Sequence, residues 1–69
     1  MKKDQFRLDV LRILDLPSDT PDEFETAMDS LQVLEICAYV ENNLGIVVDA
    51  QEIAEMKTVA LILGLYDLA

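Results

Sequence analysis

Apolar residues recur at the spacing of an α-helix in four separate segments of this chain, and no useful length of it alternates as a strand does. The first helix is expected to run from about Asp4 to Leu16, where Pro17 ends it. Its buried stripe comprises Phe6, Val10, Ile13 and Leu14. Because 69 residues with a hydrophobic content of 52% can form one thin core, we predict an all-α, four-helix bundle that is a single domain over residues 1–69.

The second helix carries the clearest start and stop signals. Asp29 and Gln32 have the spacing of a capping box, and Gly45 is a good terminator in left-handed geometry. The residues expected to face the core are Ile36, Cys37, Val40 and Leu44, with Val33 at the edge of the stripe. Before this helix, residues 17–28 form an acidic loop with two prolines, and Phe24 is expected to pin that loop to the bundle.

The rest of the chain completes the bundle with short elements. Ile46-Val47-Val48 is expected to be an extended connector whose side chains fill the bundle. A short third helix is predicted over Gln51 to Met56, with Ile53 and Met56 facing inward. Thr58 is expected to cap a fourth helix, which Gly64 weakens. The apolar stripe of this last helix comprises Val59, Ile62, Leu63 and Tyr66.

The charge balance excludes several classes of function. Fourteen acidic residues against five basic ones give a formal net charge of −9, which repels nucleic acid and anionic membranes and favours partners with basic patches. No signal peptide is visible, and the longest apolar stretch, from Val59 to Leu65, is too short to span a bilayer. We therefore expect a soluble, cytoplasmic and monomeric protein without nucleic-acid binding or membrane insertion.

Few residues could perform chemistry. The chain has no histidine and one cysteine, so we expect no disulfide, no metal site and no nucleophile paired with a base. Cys37 is expected to be a buried, inert thiol. The loop acids Asp19, Asp22, Glu23 and Glu25 lack the spacing and the glycine of a calcium loop.

Ser30 stands at the first position of the second helix. If Asp29 supplies the capping oxygen, the Ser30 hydroxyl is not needed for that purpose and is expected to be exposed near the positive end of the helix dipole, where a phosphodiester is favoured. Taken alone, Asp29-Ser30-Leu31 has two interpretations. It is either an ordinary helix start with two good capping residues or a site of attachment.

The residues around Ser30 favour the second interpretation. Their pattern is Asp29-Ser30-Leu31-x-x-x-Glu35-Ile36, then Glu41, Leu44-Gly45-Ile46, Ile53, Met56 and Thr58-Val59. From Asp29 to Tyr66 the chain resembles the acyl carrier protein family without a gap. The resemblance implies that a phosphopantetheinyl transferase attaches 4'-phosphopantetheine from coenzyme A to Ser30, with Asp29 as part of the motif. It also implies a non-catalytic carrier that holds its cargo as a thioester.

The resemblance also implies a partner-binding face on the second helix. That face comprises Leu31, Leu34, Glu35, Ala38 and Glu41. The implied partners are an enzyme that loads an acyl or aminoacyl group and downstream synthase enzymes with basic patches, in fatty-acid-like, polyketide or nonribosomal peptide biosynthesis.

Two departures from the family pattern bear on the pathway. Where the family has Leu-Gly and one more residue before the motif, this chain has Thr26-Ala27-Met28, which suggests a different backbone path into the site. The loop between the first two helices also looks shorter than in fatty-acid carriers. Both departures favour a specialised pathway. Ala27 also leaves open a second interpretation, in which the chain is an unmodified acidic interaction protein with the carrier fold.

Overall fold

The computed structural model describes all of residues 1–69 and contains four α-helices and no β-strand. The helices are α1 (Lys3–Ile13), α2 (Ser30–Leu44), α3 (Ala50–Ala54) and α4 (Val59–Leu63), and α4 continues as a 3-10 helix over Gly64–Leu68. α2 packs against α1 and α3, and α1 also packs against α4. The predicted all-α, four-helix fold with a short third helix is confirmed.

All four α-helices and the 3-10 helix contribute to the core, and its members differ in part from those predicted. The buried apolar residues are Phe6, Val10, Leu11, Leu14, Val33, Ile36, Val40, Ile53, Val59, Ile62, Leu63 and Leu65. Leu11 and Leu65 were not expected there, and Val33 lies fully within the core. Conversely, several predicted core residues are only half-buried, namely Ile13, Cys37, Leu44, Met56 and Tyr66. α1 buries a wider stripe than predicted because it packs against two helices, α2 and α4.

α1 ends three residues earlier than Pro17 suggested. Asp15 takes a left-handed φ of 59°, and its N–H donates to the carbonyl of Arg12 at 3.1 Å. The N–H of Leu16 reaches back to the carbonyl of Leu11 at 2.8 Å. These two bonds form a Schellman motif, which satisfies the last carbonyls of the helix. The predicted end at Leu16 was therefore wrong, because the stop signal is the aspartate and not the proline.

The loop over residues 17–28 is held by backbone hydrogen bonds and not by Phe24, whose side chain is 43% exposed. The carbonyl of Asp22 accepts from Ala60 N–H at 2.8 Å, and that of Phe24 accepts from Val59 N–H at 3.1 Å. On the other side, the Arg7 guanidinium donates to the Asp22 carboxylate and to a loop carbonyl. The expectation that Phe24 pins the loop was wrong, since these bonds fix it without a buried aromatic ring.

The remaining connections follow the predicted signals closely. Gly45 ends α2 with a φ of 71°, and its N–H donates to the Glu41 carbonyl. In the connector that follows, Ile46 and Val48 pack against the core, whereas Val47 is 82% exposed. The Thr58 hydroxyl caps α4 by accepting from Leu61 N–H at 3.3 Å. The α-helix gives way to 3-10 geometry at Gly64, as expected for a weakened last helix.

One buried carboxylate was missed by the sequence analysis. Asp9 is 7% exposed, and it accepts from the Gln5 amide and from Arg12, both at 2.8 Å. Tyr39 of α2 also donates to it, and the Phe6 ring packs between Tyr39 and Tyr66, with centroid distances of 5.8 and 5.6 Å. The charge is therefore paired and hydrogen-bonded, as a buried carboxylate must be.

Candidate functional site

The first turn of α2 is closed by its own capping residues. Asp29 is in extended geometry, and its carboxylate accepts from Gln32 N–H at 2.7 Å. The Gln32 side chain in turn accepts from Asp29 N–H at 3.1 Å. This reciprocal pair is the capping box that the sequence predicted, and it satisfies two backbone donors at the helix start.

Ser30 is the first residue of α2 and is exposed. Its hydroxyl has no hydrogen-bond partner within the protein, because the capping role falls to Asp29. The first backbone N–H groups of α2 give this end of the helix a partial positive charge, which favours an anionic group on the side chain. The structure thus places a solvent-exposed hydroxyl, without a hydrogen-bond partner, at the positive end of the longest helix.

A shallow groove of about 390 Å³ lies beside Ser30, between α2 and α3. We call it the α2–α3 groove. It is lined by Met28, Asp29, Ser30, Val33, Leu34, Ala50, Gln51 and Ala54. Because most of these side chains are small or apolar, the groove can accommodate a slender, partly apolar chain that begins at Ser30.

The segment that leads into the site is anchored by Thr26, the first of the three residues that depart from the family pattern. Its N–H donates to the Lys57 carbonyl at 2.8 Å, and its hydroxyl donates to the Met56 carbonyl at 2.9 Å. Ala27 has a negative φ, as do all non-glycine residues except Asp15. An alanine at the position where the family carries glycine therefore places no strain on the backbone.

The predicted partner face is exposed on α2. Leu31 is 66% exposed and Leu34 is 58% exposed, and Glu35, Ala38 and Glu41 are exposed as well. The surrounding stretch, residues 29–56, holds six acidic residues and no lysine or arginine. The face therefore combines exposed leucines with uncompensated negative charge.

Comparison with known protein families identifies the family to which the chain belongs. The chain matches the family described as "phosphopantetheine attachment site" over residues 6–65, which is most of its length. It belongs to the phosphopantetheine carrier family. The predicted resemblance is confirmed. Comparison with the curated proteins and with the solved structures gave no match.

Membership of the carrier family establishes the cofactor, since these domains bear covalently attached 4'-phosphopantetheine. The family is generally non-catalytic, and its members interact with phosphopantetheinyl transferases and biosynthetic enzymes. The residues at the start of α2 fit such a group. The exposed Ser30 hydroxyl is free for a phosphodiester, the helix dipole favours the negative charge, and the α2–α3 groove leaves a path for the chain.

The other groups considered in the sequence analysis lie away from this chemistry. Cys37 is half-buried, and burial together with the negative charge of Asp49 raises the pKa of its thiol. A thiol with a raised pKa stays protonated at neutral pH and is a poor nucleophile. No three acidic, cysteine or histidine side chains lie close enough to hold a metal ion. None of the helices has the length and apolar character needed to cross a membrane.

Proposed function

We propose that Ser30 is the residue that bears 4'-phosphopantetheine and that this chain carries an acyl or aminoacyl group as a thioester. The observation that carries the proposal is the exposed hydroxyl of Ser30, which has no partner in the protein because Asp29 forms the cap. The family match supports it, since the matched region contains both residues.

In this proposal the chain contributes position and charge. On a transferase, the Ser30 hydroxyl would give up its proton to the enzyme and attack the pyrophosphate of coenzyme A. This step would form the phosphodiester and release adenosine 3',5'-bisphosphate, and the N–H end of α2 would stabilise the negative charge of the product. Attachment depends on the enzyme, because a serine hydroxyl without an adjacent base is a weak nucleophile and the nearby Asp29 carboxylate opposes the added negative charge. The attached group supplies a terminal thiol that holds the cargo. The tether keeps the cargo at a high effective concentration wherever the carrier docks.

The exposed face of α2 is the proposed contact for partner enzymes. The leucines at positions 31 and 34 would supply affinity through apolar contact, and Glu35 would supply on-rate and specificity towards basic patches. Ala38 and Glu41 extend the same face by up to two turns. The proposed partners are a loading enzyme and the downstream enzymes of a fatty-acid-like, polyketide or nonribosomal peptide pathway.

The chain itself is proposed to catalyse nothing. It has no histidine, and the raised pKa of Cys37 keeps its one thiol protonated. Tyr39 is similarly engaged, since burial raises the pKa of its hydroxyl and that hydroxyl is bonded to Asp9. Partner enzymes would therefore perform every chemical step on the cargo.

A thiol titration tests the proposal directly. In a Cys37→Ala background the chain has no thiol, so treatment with coenzyme A and a phosphopantetheinyl transferase should create one thiol per chain. That thiol should then displace the leaving group of an activated acyl donor, on a loading enzyme, and hold the acyl group as a thioester. A Ser30→Ala variant of the same background should remain without a thiol. A chain that gained no thiol yet still bound its partners would instead be an unmodified acidic interaction protein.

A further inference from the structure

A second groove, of about 240 Å³, lies on the other side of the α2 start. We call it the loop groove. It is lined by Leu14, Leu16, Phe24, Glu25, Thr26, Ala27, Met28 and Gln32. We infer that the loop groove, with Phe24 at its exposed edge, docks the phosphopantetheinyl transferase that modifies Ser30. The inference rests on the proposed attachment at Ser30 and names a surface outside the predicted α2 face.

Phe24 is exposed on a backbone that is held by hydrogen bonds on both sides. Its ring is 43% exposed, whereas Phe6, the only other phenylalanine, is fully buried. Yet its carbonyl accepts from Val59 and its N–H donates to Pro21, both at 3.1 Å. The loop needs no aromatic anchor, because backbone bonds already hold it. A large apolar ring on a fixed backbone loses little conformational entropy on binding, and aromatic side chains of this kind dominate protein interfaces.

The charges around Phe24 indicate the chemistry of its partner. Glu23 and Glu25 flank Phe24 in the sequence, and Glu25 lines the groove. Both are exposed and have no lysine or arginine within ion-pair distance. Asp22, by contrast, is bonded to Arg7. The rim of the loop groove is therefore negative and unpaired. It fits an enzyme surface on which an apolar side chain stands between lysines or arginines.

The position of the loop groove identifies which enzyme covers it. Met28 and Gln32 lie two residues before and two residues after Ser30. An enzyme that forms a bond at the Ser30 oxygen must bring its active site to the first turn of α2, next to this groove. Enzymes that act on the cargo at the far end of the arm need not approach it. The transferase is therefore the partner that the position of the loop groove favours.

The test measures steady-state modification by a transferase of broad carrier specificity, with coenzyme A, for four chains. Phe24→Ser should raise the KM for the carrier by about tenfold and leave kcat within about twofold, since the ring touches no reacting atom. Phe24→Leu should bring the KM most of the way back to the wild-type value. Leu68→Ser is the matched control, because Leu68 is also an exposed apolar residue, at 69%. Its neighbours Tyr66 and Ala69 lie beside the C-terminal end of α2, which is the end opposite Ser30.

Charge and docking are tested separately. A Glu23→Gln, Glu25→Gln double variant should raise KM at low ionic strength, and the effect should fade at about 0.5 M salt. In a Ser30→Ala background, where no modification occurs, Phe24→Ser should weaken binding to the transferase by about tenfold.

The outcomes separate this inference from the proposed function. If the wild-type chain is modified at Ser30 while Phe24→Ser changes neither KM nor binding by more than about twofold, the inference is overturned and the attachment stands. If the wild-type chain is not modified, the proposed attachment fails, and the inference fails with it.

Discussion

The hydroxyl of Tyr39 in α2 donates a 2.6 Å hydrogen bond to the buried carboxylate of Asp9 in α1. This bond joins the two longest helices across the bundle. It is also the main reason why the pKa of Asp9 lies below its ordinary value, against the opposing effect of burial. The carboxylate is therefore ionised in the folded protein, and the helix pair depends on its charge.

Tyr39→Phe should lower the free energy of unfolding by about 2 kcal/mol, because a partly buried hydrogen bond to a charged acceptor is lost while the ring contact remains. Denaturant unfolding at pH 7 measures this. Tyr66→Phe is the control, since the Tyr66 hydroxyl donates to the Met1 carbonyl at an exposed site, and its loss should be below about 1 kcal/mol. Equal losses of unfolding free energy in the two variants would show that the bond to Asp9 stabilises the protein no more than the exposed bond to Met1 does.

The Asp9 carboxylate should make stability depend on acid pH. The hydrogen bond from Tyr39 holds the pKa of this carboxyl below its ordinary value in the folded state. As the pH falls, the unfolded chain therefore takes up the proton at Asp9 before the folded chain does. The stabilisation is therefore present above about pH 4 and is lost as the pH falls through the folded pKa.

Comparison with Asp9→Asn isolates this contribution from those of the other acidic groups. The difference in unfolding free energy between wild type and Asp9→Asn should be constant from pH 7 to about pH 5 and should shrink below about pH 4. A difference that grows on acidification would contradict the sign of the shift.

The two residues at the start of α2 should differ sharply in their effect on stability. Asp29→Ala removes the capping oxygen and should cost about 1 kcal/mol. Ser30→Ala removes a hydroxyl without a partner and should change stability by less than about 0.5 kcal/mol. Urea unfolding of both variants checks this, and a larger loss for Ser30→Ala would mean that its hydroxyl is structural and not free.

Salt should raise the melting temperature, because the chain carries a net charge of −9 and only three of its fourteen acidic side chains are in ion pairs. Thermal unfolding at about 0.02 M and about 0.5 M sodium chloride measures the effect. Glu35→Lys, on the exposed acidic face of α2, should raise the melting temperature at low salt and reduce the salt dependence. A melting temperature that falls with salt would show that self-repulsion is not the dominant surface effect.

Local signals in the sequence predicted the start and the end of α2 and the cap of α4 well. The capping box of Asp29 and Gln32, the left-handed Gly45 and the Thr58 cap each depend on residues within one helical turn. Short-range hydrogen bonding fixes such features, so the start of α2 and the free Ser30 hydroxyl could be derived before the fold was known.

Features that depend on tertiary contact were missed. Asp9 looks like a surface aspartate in the sequence, and only the approach of Tyr39 makes its burial favourable. Phe24 was expected inside because it is large and apolar, but its loop is held by bonds to α4, which lies more than thirty residues later in the chain. No local pattern carries such information, since it arises when distant segments pack.

The most direct test of the account is the mass of the intact chain after incubation with coenzyme A and a phosphopantetheinyl transferase, followed by fragmentation to locate the change. Ser18 and Ser30 are the only serines, and both are exposed, so Ser18→Ala is a matched control. We predict a gain of one phosphopantetheinyl group in the wild-type and Ser18→Ala chains, located at residue 30, and no gain in Ser30→Ala. An unchanged wild-type mass, or a gain that survives Ser30→Ala, would contradict the account.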